Sequence, residues 1–166
     1  IILIGSHRTG QGIAYHIPKE KLLIIDFDPD VIAELKRAKY DYLFGDIADE
    51  EILEQANIGN AQLVISTSPH FEDNLALLNE INPPHKEVMW GINQLKKNGP
   101  KVILRAQDEE EAMFLYHQGV DYVLLPHFTS GQYLGRVIGL DPDLKHLEAL
   151  KKRDLVLLKK INHQQI

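Results

Sequence analysis

The chain has 166 residues, 44% of them hydrophobic, which suffices for one well-filled core and is too little for two ordinary domains. Its formal charge of −6 lacks the basic excess that releases counterions from a phosphate backbone, so nucleic acid is excluded as the expected partner. Without any cysteine it has neither disulfides nor thiolate metal sites, which suits the cytoplasm, and no apolar run approaches the roughly 20 residues of a membrane-spanning helix.

Ile1-Ile2-Leu3-Ile4 is an aliphatic run without alternation, the pattern of a strand buried on both faces of a parallel sheet. It opens the chain without a methionine, and a piece of a longer protein is expected. Gly5, Ser6, His7, Arg8, Thr9 and Gly10 follow, leading into a helix. In the Gly-x-Gly-x-x-Gly turn the first glycine bends the chain, the second admits a pyrophosphate and the third lets the helix pack on the strand. Gly5 and Gly10 fit the first and third positions, and His7 occupies the second. Leu22 to Ile25 is a second unalternating strand ending in Asp26, about 20 residues after Gly5, where a ribose-binding acid is expected.

Asp28-Pro29-Asp30 supplies a capping carboxylate, a first-position proline and a first-turn acid for a helix burying Val31, Ile32 and Leu35. Tyr42 to Phe44 is a short third strand with Gly45-Asp46 as its exit. Asp49-Glu50-Glu51 opens a third helix that is expected to stop near Gly59. Leu63 to Thr67 is the fourth strand, and Ser68-Pro69 is expected to cap and start the helix carrying Leu75, Leu77 and Leu78. Asn82-Pro83-Pro84 interrupts that helix, and His85 to Lys97 has the pattern of a second short helix, ended by Asn98-Gly99-Pro100. Lys101 to Ala106 is the fifth strand, Asp108 to Glu111 an acidic helix start with its stop at Gly119, and Val120 to Leu125 the sixth strand, ended by Pro126. From Thr129 a helix carries Gly131, Gly135 and Gly139 four apart, a bare face against which another backbone can pack. Asp141-Pro142-Asp143 caps the basic segment Leu144 to Lys152, and Leu155 to Leu158 reads equally as a strand or a helix turn.

Strands alternating with helices specify an α/β fold, a Rossmann-like doubly wound parallel six-stranded sheet whose ligand crevice lies at the carboxyl ends of the strands. Gly5 to Gly10, Asp26, Asp46 and Thr67 all fall at such ends. Asp26 can accept from both ribose hydroxyls, Arg8 can pair with phosphate, and the amides opening the Gly10 helix can cradle an anion. No pair of acid and base, nucleophile elbow or histidine spacing marks a catalytic or metal centre.

Gly5-x-x-Arg8-x-Gly10, Asp26-x-Asp28-Pro29, Tyr42-x-x-Gly45-Asp46, Asn60-Ala61, Asn74-Leu75 and Gly119-Val120-Asp121 occur in the order that resembles the regulator-of-potassium-conductance N-lobe, or TrkA-N domain, over about Ile1 to Pro126. The resemblance implies a ligand-sensing homodimer or higher ring on the cytoplasmic side of a membrane-embedded cation transporter, of the potassium-channel, Trk/Ktr or Kef-like antiporter kind, and no catalysis. It also implies an adenine nucleotide in the cleft, of the NAD(H), AMP, ADP or ATP kind, with AMP or ADP and NAD(H) as the expected choices. The expected binding residues are Gly5, Ser6, His7, Arg8, Thr9 and Gly10 in the turn, Asp26 with Phe27, Asp46 with Ile47, and Thr67. Residues 1–126 would form the nucleotide-binding domain, and 127–166 a helical extension with a crossover helix that links dimers. His7 departs from the family's middle glycine and bears on close phosphate approach. A small NAD-dependent oxidoreductase domain and a dimerisation scaffold without ligand are the alternative readings.

Overall fold

In the computed structural model, which describes residues 1–82, 99–141 and 143–164, the chain forms two compact units, Ile1–Leu125 and Pro126–Ile166. The first is a parallel sheet of six strands, β1 (Ile2–Ile4), β2 (Leu23–Asp26), β3 (Asp41–Phe44), β4 (Leu63–Ser66), β5 (Lys101–Arg105) and β6 (Tyr122–Leu124), in the order 3-2-1-4-5-6. The connecting helices are α1 (Arg8–Ala14), α2 (Pro29–Arg37), α3 (Glu50–Gln55), α4 (Phe71–Ile81) and α5 (Glu109–His117).

The aliphatic runs lack alternation because both faces of the sheet are covered. Ile2 and Ile4 of β1, with Val64, Val102 and Leu104, pack on Leu53 of α3, Leu77 and Leu78 of α4 and Leu115 of α5. Leu3, Ile24 and Ile65 point to the opposite face, where Ala14 of α1 and Val31 and Leu35 of α2 cover them. Leu3, Ile24, Ile25, Val64, Val102 and Leu104 are fully buried. At about 1.5–3 kcal/mol per large aliphatic side chain removed from water, these central strands anchor the unit.

Local signals set most helix starts. The carboxylates of Asp28, Asp49 and Asp108 accept the backbone N–H of Asp30, Glu51 and Glu111 at 2.8, 3.0 and 2.9 Å, and Pro29 occupies the first turn of α2. Gly119 takes φ +86° beyond α5, as a helix stop requires.

Three expectations are corrected and one open alternative is resolved. The third helix stops at Gln55, before Gly59, because Asn57 adopts a left-handed φ of +53° and a short 3-10 turn follows over Ile58–Asn60. Ser68-Pro69 does not start α4, which begins at Phe71 with His70 as its cap. The carbonyl of Ser68 accepts from Asn74 Nδ2 at 3.1 Å and that of Pro69 from Gln107 Nε2 at 2.7 Å, so side chains bond this stretch ahead of the helix. The third correction and the resolved alternative concern the second unit. Its first helix, α6 (Pro126–Leu140), starts three residues before Thr129 with proline in its first position, where the missing N–H costs nothing. Leu155 to Leu158 lie inside the helix α7 (Lys145–Gln164). Asp141 accepts from the backbone N–H of His146 and stands 3.0 Å from its Nδ1, at the start of α7. A Cβ at Gly131, Gly135 or Gly139 would meet nothing within 4 Å. The expected second helix over His85 to Lys97 lies outside the described residues.

Candidate functional site: a cleft at the strand ends

Between β1 and β4 the strand order reverses, so the loops leaving their carboxyl ends diverge and a crevice opens there. Its volume is about 490 Å³, in the range of small-molecule sites. The turn after β1 contributes Gly5, His7, Arg8 and Thr9 to its walls. Asp26 and Phe27 come from the end of β2, Asp46 and Ile47 from beyond β3, and Thr67 from the end of β4.

The two outer glycines of the turn have separate steric reasons. Gly5 has φ +81°, and a Cβ there would lie 2.7 Å from Thr67 Oγ1. A Cβ on Gly10 would lie 2.0 Å from the carbonyl oxygen of Gly5, so α1 reaches its place against β1 only because the side chain is missing. Thr67 fixes the turn from the other side, its one O–H shared between the carbonyls of Ile4 and Gly5 at 3.1 and 2.9 Å.

Asp26 is 4% exposed. Its Oδ2 accepts from the backbone N–H of Ser6 at 2.7 Å and its Oδ1 from that of Asp28 at 3.0 Å. The carboxylate therefore ties β2 to the glycine turn, and each oxygen keeps a further lone pair. Ser6, itself buried, and Gly10 are not on the cleft surface: one supplies a backbone N–H to Asp26, the other the space for the α1 crossing. His7 is exposed at the mouth, its Nε2 3.9 Å from Asp28 Oδ2.

The sequence reading did not include Gly45, Ser68, Pro69, His70, Asp73 or Arg105, which also line the cleft. Arg105 ends β5 as Asp26 ends β2, so its place at a strand's carboxyl end was a readable signal. Its Nη1 donates to the carbonyl of Thr67 at 3.3 Å, and its Nε is buried without a hydrogen-bond partner. Asp73 Oδ2 pairs with Ser68 Oγ at 3.2 Å. Asn74, fully buried, bridges the carbonyls of Ser68 and Arg105 at 3.1 and 2.9 Å and so fixes α4 against the far wall. The cleft thus combines the buried carboxylate of Asp26 and those of Asp46 and Asp73 with two guanidinium groups, two imidazoles and the exposed ring of Phe27; Asp26, the guanidinium groups and the ring suit the hydroxyls, phosphates and base of a nucleotide.

The family model of the TrkA-N domain matches residues 1–126. Among curated proteins, the glutathione-regulated potassium-efflux system protein KefC of Cronobacter sakazakii is 24% identical over 157 residues. That alignment takes in 93% of this chain and only 23% of the relative's length. The solved Kef CTD of Shewanella denitrificans in its AMP-bound form superposes with a TM-score of 0.63 at 22% identity, over 98% of this chain and 94% of that one. GsuK bound to ADP gives 0.57 at 22% identity, over 82% of this chain and 33% of that one. At such identities these superpositions speak for the fold.

Proposed function

Because the chain belongs to the TrkA-N domain family, we propose that it is the cytoplasmic nucleotide-sensing part of a potassium or cation:proton transport protein. In this reading an adenine nucleotide, AMP, ADP or NAD(H), occupies the cleft and its binding alters transport by shifting one subunit against another. The observation that carries it is Asp26: a carboxylate at the end of β2, set by the amides of Ser6 and Asp28 at 2.7 and 3.0 Å, lines the cleft with lone pairs left for the two ribose hydroxyls. Arg8 then meets the phosphate and the exposed ring of Phe27 covers the base.

Residues 1–126 act as the nucleotide-binding domain and 127–166 as the segment that joins two copies. The bare face of Gly131, Gly135 and Gly139, with open space at each Cβ position, gives a second backbone room to approach. Among the described residues no helix is long and apolar enough to cross a membrane, so the pore belongs to another part of the same chain or to a partner. In this reading the domain senses its ligand and does not turn it over.

Calorimetric titration with AMP, ADP and NADH tests the binding. Saturable binding of at least one is expected, together with nucleotide-dependent potassium flux when the full-length protein is reconstituted in vesicles. Absence of binding for all three, or steady hydrolysis or oxidation that Asp26→Ala abolishes, would overturn the reading.

A further inference from the structure

Arg105 is the cation in the cleft whose surroundings leave it incomplete. A guanidinium carries five N–H donors. One of them, on Nη1, reaches the Thr67 carbonyl at 3.3 Å, while Nε is buried and donates to nothing. Among the described residues no carboxylate lies within ion-pair distance of Arg105, and Asp73 in the same cleft is engaged by Ser68. Taking a charge partly out of water without a counter-ion is unfavourable, and an anionic ligand would relieve it.

The position of Arg105 says which anion. Adenosine held by Asp26, at the end of β2, would sit over that strand, and the glycine turn leaves from β1. The order continues to β4 and β5, so a phosphate chain running away from the ribose over the turn heads toward Arg105. The strands bearing Asp26 and Arg105 are three spacings apart, about 14 Å, a span that a nucleotide and the length of an arginine side chain cover together. The link to the turn is short: Arg105 donates to the carbonyl of Thr67, whose hydroxyl donates to the carbonyl of Gly5 at 2.9 Å. A first phosphate at Gly5 and Arg8 would leave Arg105 unpaired, whereas a second would come within its reach, and the planar fork suits two phosphate oxygens at once.

We propose that Arg105 reads the second phosphate of the bound nucleotide, so that the cleft prefers a nucleoside diphosphate to a monophosphate. This rests on the adenine-nucleotide reading above. The test is calorimetry with AMP and ADP on the wild-type chain, Arg105→Gln and Arg105→Lys, with ligand-free melting curves for each. Wild type should bind ADP at least tenfold more tightly than AMP. Arg105→Gln should weaken ADP by about tenfold to a hundredfold, the range for losing hydrogen bonds to a charged group, while AMP changes by less than about threefold. Arg105→Lys, which keeps the charge without the fork, should fall between them, and it carries the test if the glutamine variant fails to fold. Equal losses for both nucleotides, or no loss for either, would overturn the role of Arg105 and leave the nucleotide reading standing. A wild type that binds neither nucleotide overturns both.

Discussion

Gly10→Ala and Gly12→Ala are the same chemical change two residues apart in α1, and the structure assigns them opposite signs. At Gly12 a Cβ meets nothing within 4 Å, so alanine only removes the entropic penalty of a helical glycine and should stabilise by about 0.5–1 kcal/mol. At Gly10 the Cβ would stand 2.0 Å from the Gly5 carbonyl oxygen and 2.9 Å from its carbon. Both are backbone atoms, so no rotamer change relieves the overlap, and helix and strand must separate by roughly 1 Å. Gly5 cannot yield freely, since its N–H is bonded to the Ile25 carbonyl at 2.9 Å and its carbonyl to Thr67 Oγ1. Overpacking of this kind costs about 1–3 kcal/mol or more, which exceeds the propensity gain and leaves a net loss of about 1–2 kcal/mol. At about 2–4 °C per kcal/mol for a chain of this size, Gly10→Ala should melt about 2–8 °C below wild type and Gly12→Ala about 1–4 °C above it. Urea and thermal unfolding followed by circular dichroism measure both. Equal stability for the two variants would refute the close crossing of α1 over β1.

Asp26→Asn keeps the volume but presents only one acceptor oxygen, leaving either the Ser6 or the Asp28 N–H unmatched. A stability loss of about 1–3 kcal/mol and weaker binding of AMP, ADP and NADH alike by about 1.5–3 kcal/mol are expected; a loss confined to one nucleotide in calorimetry contradicts the ribose role. His7→Gly removes the side chain from the position of closest pyrophosphate approach, so it should raise NADH affinity relative to AMP, and an unchanged ratio defeats the steric argument. Gly135→Leu places a side chain on a face with open space in the isolated chain and removes a helical glycine, so the monomer should melt no lower than wild type, and up to about 4 °C higher, while sedimentation shows a weaker dimer. A wild type that sediments as a monomer at high micromolar concentration, with and without nucleotide, would remove the basis for that prediction.

The sequence by itself carried whatever depends on neighbours along the chain. Aliphatic runs without alternation marked the strands, since a strand covered on both faces has no polar side. Asp28, Asp49 and Asp108 marked helix starts, since each carboxylate bonds an amide two or three residues on. Gly10 was readable as the packing glycine and Asp26 as the acid at a strand end. Only the tertiary structure decided what depends on strand order, because parallel strands are joined by crossovers and the sequence does not state which strand lies beside which. The order 3-2-1-4-5-6 brings β5 next to β4 and so puts Arg105 into a cleft otherwise built from the first four strands. It also brings Gln107, after β5, to the carbonyl of Pro69, in the stretch whose local start signal α4 does not use. Asp26 had a double use that one-dimensional reading could not reach: its carboxylate joins Ser6, 20 residues away along the chain, and that bond exists only because β1 and β2 are paired.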